Sequence, residues 1–328
     1  MKRLLIFILL AAVAWFSLWG FGHFNTNAAY EKWFKDRRNA GWLAEFDAMK
    51  TRGFPNRLDT TFENITLADQ NFGYQWNAEK FKLFKLVYKP NHIIALWPDQ
   101  QVLKTPNQTN QIYSNDMRAS IVVDDTPHQA LKRANLVVEK LRATRDRASE
   151  ISIDSWRLAI RSLEEMPTTI QLALQAEGVS WRPLAEAETP SLATGNIRIN
   201  LSANFDSPWG FQSFEHDIPA PTEVTIQNAQ ATWNNFEVAL TGSFTIDAQG
   251  YPTGNLKISA ENWNEVREFA RKAHPRATPI INALEKEFRL VPGQPNWEQP
   301  VDFPITVANQ QIYLGSIPIG TAPIFWSR

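Results

Sequence analysis

Hydrophobic and polar positions change their rhythm twice along the 328-residue chain. After Met1, Lys2 and Arg3, the 21 residues from 4 to 24 include no Asp, Glu, Lys or Arg. As an α-helix they extend roughly 31 Å, the thickness of a bilayer's hydrocarbon core. Residues 26–40 then become amphipathic, with Tyr30, Trp33, Phe34 and Arg37 recurring at spacings of three and four and Gly41 marking a stop. A short helix that continues the apolar one outward is predicted there.

Past residue 41 the period falls to two, punctuated by Gly, Pro, Asn and Asp. Strands are predicted at 58–67 and through 80–97, where Phe81 and Leu83 take one face, Phe84, Leu86 and Tyr88 the other, and Pro90 interrupts. Residues 118–124 and 133–139 repeat one pattern: Arg, Ala, a polar residue, an aliphatic, two valines and an acid. Leu131, Ala134, Val138 and Leu141 also fit a helix, but the likeness to 118–124 favours strand. Further strands follow at 151–163, 169–176 and 197–205, and the clearest block is an antiparallel meander over 222–260 with a tight turn at 247–250. Two helices are predicted at 262–271 and 279–288, the second with Pro279 in its first turn. A Pro/Gly-rich connection at 292–300 leads to a last hairpin around Ile305, Val307, Ile312, Leu314 and Ile317.

The expected fold is mainly β, a β-rich α+β body with long antiparallel, curved sheet following a single N-terminal transmembrane helix. The expected organisation is a membrane anchor at 1–25, an amphipathic connecting helix at 26–41 and a body at 42–328, with two subregions dividing near 180–195.

The apolar run has a rival reading as a cleaved signal peptide. Residues 23–29 offer only Thr26 and Ala28 as a small-residue pair, and Trp15, Phe16, Trp19, Phe21 and Phe24 make its second half bulky and aromatic, as interface anchors are. The uncleaved signal-anchor is favoured. Lys2 and Arg3 held inside would place the body across the membrane, in a bacterium the periplasm, on a single-pass inner-membrane protein.

Composition narrows the chemistry. The chain has no cysteine, which excludes disulfides, thiolate metal sites, cysteine nucleophiles and a lipidated cysteine. Without Lys2 and Arg3, 31 basic residues face 34 acidic ones, so no basic field for nucleic acid exists. Thirteen Trp and twenty Phe are many for this length, enough to fill a core or line an apolar groove.

Four segments carry a family resemblance: Gly53-Phe54-Pro55-Asn56-Arg57-Leu58-Asp59, Tyr88-Lys89-Pro90-Asn91-His92-Ile93-Ile94-Ala95, the stretch from Gly242-Ser243-Phe244 through Asp247, Gly250 and Pro252 to Gly254, and Leu314-Gly315-Ser316-Ile317-Pro318-Ile319-Gly320. Together they resemble the bacterial "domain of unknown function 2125" family. The resemblance implies an envelope protein of Gram-negative bacteria and carries over no activity and no site residues. Strands ending in Gly-x-Leu are more loosely similar to AsmA-like proteins, associated with outer-membrane lipid homeostasis, which is a likeness of architecture alone.

Of the five histidines, none falls in His-x-x-x-His or His-Glu-x-x-His spacing. Glu215-His216-Asp217 would split its carboxylates and imidazole between opposite faces of a strand, so it reads as a solvated loop. No Gly-x-Ser-x-Gly, Ser-x-x-Lys, Gly-x-Gly-x-x-Gly or Walker loop occurs. Arg57 and Asp59 share one strand face and read as a rim ion pair or a ligand contact. His92 reads as a ring that bonds the turn after Pro90 or as an acid/base residue, and Trp97 as a surface for an apolar ligand. No cofactor, no metal and no catalysis are expected. The leading class is a tethered binding protein for a lipid or other apolar ligand. A structural or assembly partner of an envelope complex comes second, and a hydrolase third.

Overall fold

A computed structural model describes residues 2–146, 149–183, 192–214, 218–273, 278–279, 281–282, 285 and 300–326. In chain order its elements are α1 (Lys2–Asn39), β1 (Trp42–Glu45), β2 (Ala48–Arg52), β3 (Arg57–Asp69), β4 (Tyr74–Leu86), β5 (Lys89–Leu96), β6 (Gln100–Thr105), β7 (Gln108–Tyr113), β8 (Asp116–Val123), β9 (Leu131–Arg145), β10 (Ser149–Leu163), β11 (Met166–Pro183), β12 (Leu192–Phe205), β13 (Pro221–Trp233), β14 (Phe236–Ile246), β15 (Pro252–Glu261), α2 (Trp263–Ala273), β16 (Val301–Ala308), β17 (Gln311–Leu314) and β18 (Ile317–Thr321). The chain is mainly β and antiparallel, as its period-two pattern predicts. Residues 131–145 are strand, which settles the helix alternative. The predicted helix over 279–288 falls largely outside the described residues, as do Glu215, His216, Asp217 and most of 292–300. The chain forms two compact units: 1–125 with 134–155 and 181–191, and 126–133 with 156–180 and 192–328.

In the first unit, α1 is one uninterrupted helix of 38 residues. It contains both the apolar run and the amphipathic stretch, because nothing between Phe24 and Tyr30 breaks a helix. Its second half lies on β1–β3. Phe34 is 3 % exposed and packs edge-on against Phe46 at 4.7 Å and tilted against Phe62 at 5.5 Å, while Tyr30 meets Phe62 edge-on at 5.5 Å. Burying four such rings contributes on the order of 1.5–3 kcal/mol each. β3 buries Leu58, Thr60 and Phe62 against the helix, and at Asn64, with φ of +49°, the parity changes so that Ile65 and Leu67 join Phe62 in the core. Glu63 lies before that change, so it does not share the face of Ile65 and Leu67 despite the two-residue spacing. β3 pairs with β2 and β4, and β4 with both β5 and β6.

In the second unit, β12 to β18 form a meander in which each strand pairs with the next. Gly242 in β14 has φ of +129°, and a Cβ there would lie 2.4 Å from the Asn255 carbonyl, so only glycine fits this crossing. α2 lies over β14 and β15, with Phe269 against Trp233 and Phe236 at 5.8 and 5.4 Å and Trp263 on Phe303 at 4.8 Å. A core forms from Ala260, Trp263, Val301, Phe303, Ile305, Val307 and Leu314, all buried.

Candidate functional site

Two surfaces stand out once side chains are placed. The first is the turn between β2 and β3. Gly53 has φ of +113°, and a Cβ there would approach Arg57 Cβ at 2.8 Å and its carbonyl at 2.9 Å. The peptide between Phe54 and Pro55 is cis. Arg57 N–H donates to Gly53 O at 2.8 Å and Val87 N–H to Asn56 O at 3.1 Å. The remaining donors come from α1: Trp15 Nε1 donates to Pro55 O and Trp19 Nε1 to Arg57 O, both at 2.8 Å. Phe54 packs tilted against Phe16 at 5.7 Å and edge-on against Trp19 at 5.6 Å. Further along, His23 lies 3.3 Å from Thr51 O, and Thr51 Oγ1 donates to Asn27 Oδ1. The apolar run thus binds the body along its own second half.

The sequence-predicted residues divide between places. Arg57 and Asp59 do form an ion pair, with Nε donating at 3.0 Å, and the guanidinium lies 5.3 Å from the Phe84 ring. It is half exposed, so the pair contributes well under about 1 kcal/mol. Next to it Lys85 sits between Leu58 and Ile93 in the sheet register, and burial lowers its pKa. His92 lies elsewhere, opposite Val122 on β8, and its neighbour Asn91 is the side chain that reaches across, donating to Val123 O at 2.9 Å. Trp97 stacks on Phe81 at 5.2 Å, at the end of an aromatic run through Trp76 and Phe62. Trp97 and Trp76 therefore belong to the packing of the first unit, Trp233 lies over Gly195 in the second, and Trp181 is 41 % exposed.

The second surface is a face of the β12–β14 meander. In register across the strands run Ile197, Ala231, Val238; Ile199, Ala229, Leu240; and Leu201, Ile226, Gly242. The same rows continue into Ala260, Ile258 and Leu256 on β15, then into the buried Val301, Phe303 and Ile305. On β12–β14 these aliphatic residues are only half-buried and lie outside the core cluster. The alternate positions, Asn196, Arg198, Gln230 and Thr232, are polar and line an open hollow of about 400 Å³ with Gln175 and Glu177. A similar hollow of about 390 Å³ in the first unit is lined by Asn64, Thr66, Asn77, Glu79, Gln101 and Gln111 among others. Carboxamides crowd both, which suits neither an acyl chain nor proton transfer. Among the described residues no three His, Asp or Glu side chains gather as a metal site.

A family model described as an uncharacterised protein conserved in bacteria, DUF2125, matches residues 19–323. The chain belongs to this family. The DUF2125 match takes in the turn between β2 and β3, the β12–β14 face and Trp19, leaving residues 1–18 and 324–328 outside. No curated protein and no solved structure matches. The likeness to AsmA-like proteins accordingly stays one of strand pattern. Sequence points to Arg57 and Asp59 at that turn, but not to its indole contacts and not to the apolar rows. Sequence carried a signal for both, in the aromatic half of the apolar run and in the period-two aliphatics of 197–260.

Proposed function

We propose that this DUF2125 protein is a non-catalytic, single-pass inner-membrane protein that holds its body in the periplasm and binds a lipid acyl chain or similar apolar ligand. The observation that carries the reading is the half-buried aliphatic face of β12–β14, continuous in register with a closed core yet outside it. Membrane placement is supported by α1, whose apolar window has a mean hydropathy of 2.4 and is nowhere buried. It is supported further by the bonds of Trp15, Trp19 and His23 to the body, which cleavage near Thr26 would remove.

The test is photo-crosslinking of the full chain, in detergent, with a phospholipid carrying a diazirine on its acyl chain. Adducts should map to β12–β14 and fall severalfold in Leu240→Asp and Ile199→Asp. Adducts confined to residues 4–24 and indifferent to both substitutions would refute lipid binding and favour a structural or assembly partner.

A further inference from the structure

The turn between β2 and β3 sits at an unexpected height along α1. Its carbonyls at Pro55 and Arg57 accept from Trp15 and Trp19, so the end of the sheet lies alongside the middle of the apolar run rather than beyond it. Trp15 precedes Phe24 by nine residues, a distance of roughly 13 Å along a helix axis. For the turn to stand clear in water, the span would have to end before Trp15, leaving only the eleven residues 4–14. Those supply about 16 Å, near half of the roughly 30 Å hydrocarbon core.

The turn's surface has the composition that such a depth requires. Phe54 and Tyr88 are 54 % and 55 % exposed, and Phe54 meets Phe16 of the helix, itself 61 % exposed, at 5.7 Å. Val87 beside Tyr88 is fixed to the turn through Asn56 O, and it approaches the helix at Gly22. The carbonyls of Gly53, Pro55, Asn56 and Arg57 each have a donor within the protein. Backbone at bilayer depth has no water to bond, so internal satisfaction is the condition for placing a turn there. Arg52, Arg57 and Lys89 flank the apolar tip with exposed cationic heads, suited to lipid phosphates at the edge of the headgroup layer.

We infer that the turn at residues 53–57, with Tyr88 beside it, is a second membrane contact that enters the outer leaflet next to the helix. The occupant of this apolar tip is the bilayer surface itself. The inference rests on the anchor reading of α1 and is independent of what β12–β14 binds.

The absence of native cysteine makes the test direct. Single cysteines at Phe54→Cys, Tyr88→Cys, Leu9→Cys and Phe72→Cys are labelled with a polarity-sensitive fluorophore, and the full chain is placed in vesicles of phosphatidylethanolamine and phosphatidylglycerol containing a lipid quencher. Leu9 reports the span, and Phe72, 68 % exposed in the β3–β4 turn, reports the solvated body. The expected result is that labels at positions 9, 54 and 88 lose most of their emission while that at 72 keeps it. Quenching at 9 with 54 and 88 behaving like 72 overturns the inference and leaves the anchor standing. No quenching at 9 overturns the anchor and this inference with it. Position 88 lies outside the turn, so it still reports if Phe54→Cys disturbs packing, and a protein partner covering the tip would shield both labels from an aqueous quencher without lipid quenching, which also overturns the inference.

Discussion

Tyr30 lies on α1 against Phe62, and burial pushes its phenol up to about 12 from 10.0. Below pH 10 the phenol is neutral both folded and unfolded, so its share of stability is fully present there. As pH rises from 10 through about 12 the unfolded chain ionises first, and stability on the order of 2–3 kcal/mol is lost. Denaturant unfolding of wild type and Tyr30→Phe across that window should show a steeper alkaline decline in wild type; parallel declines would assign the effect elsewhere. At Gly53 the constraint is steric rather than ionic. Gly53→Ala should lower stability by about 1–3 kcal/mol, visible as a depressed thermal midpoint, since both the positive φ and the approach to Arg57 reject a methyl group. Arg57 and Asp59 were legible as a pair because two-residue spacing on a strand fixes a shared face. His92 was not, because its environment depends on β8, thirty residues later in the chain.

At the level of elements, strands with regular alternation were readable: 151–163, 197–205 and the 222–260 block all fall within observed strands. β1, β2, β6 and β7 were not, because they are four to six residues long and mix polar with apolar positions, so their pairing with longer neighbours rather than their own pattern makes them strands. The parity change at Asn64 was hidden for a related reason: one residue with positive φ turns the rest of a strand over without altering its composition. The meander offers a contrast between its covered and uncovered rows. Phe303→Ala should cost about 3–5 kcal/mol, as deletion of a fully buried ring does, whereas Leu240→Ala, two strands away in the same row, should cost well under half of that. Equal losses, measured by urea unfolding, would mean that the β12–β14 face is as closed as the core.

For the molecule as a whole, α1 is part of the fold as well as a helix long and apolar enough to cross a membrane. Removing residues 1–25 should leave β3 and β4 folded through Tyr30 and Phe34 but free the turn at 53–57, so amide hydrogen exchange there should rise by an order of magnitude or more while β3 exchanges as before. Unchanged exchange at the turn would show that the indole bonds hold nothing. The sequence placed an apolar helix and a β body correctly, yet their mutual grip was not legible, because it joins main-chain carbonyls, which every residue carries, to indoles some forty residues away.

The unbroken course of α1 from Lys2 to Asn39 also has a mechanical meaning. A floppy leash would let the first unit wander over a hemisphere above its attachment point. A stiff rod clamped along its length gives that unit one bearing, so a change in the lean of the rod, such as a thinner or thicker bilayer demands, becomes a rotation of the unit through the same angle. Under the proposed anchoring the attachment works as a lever, coupling the physical state of the lipid to the direction in which the first unit points.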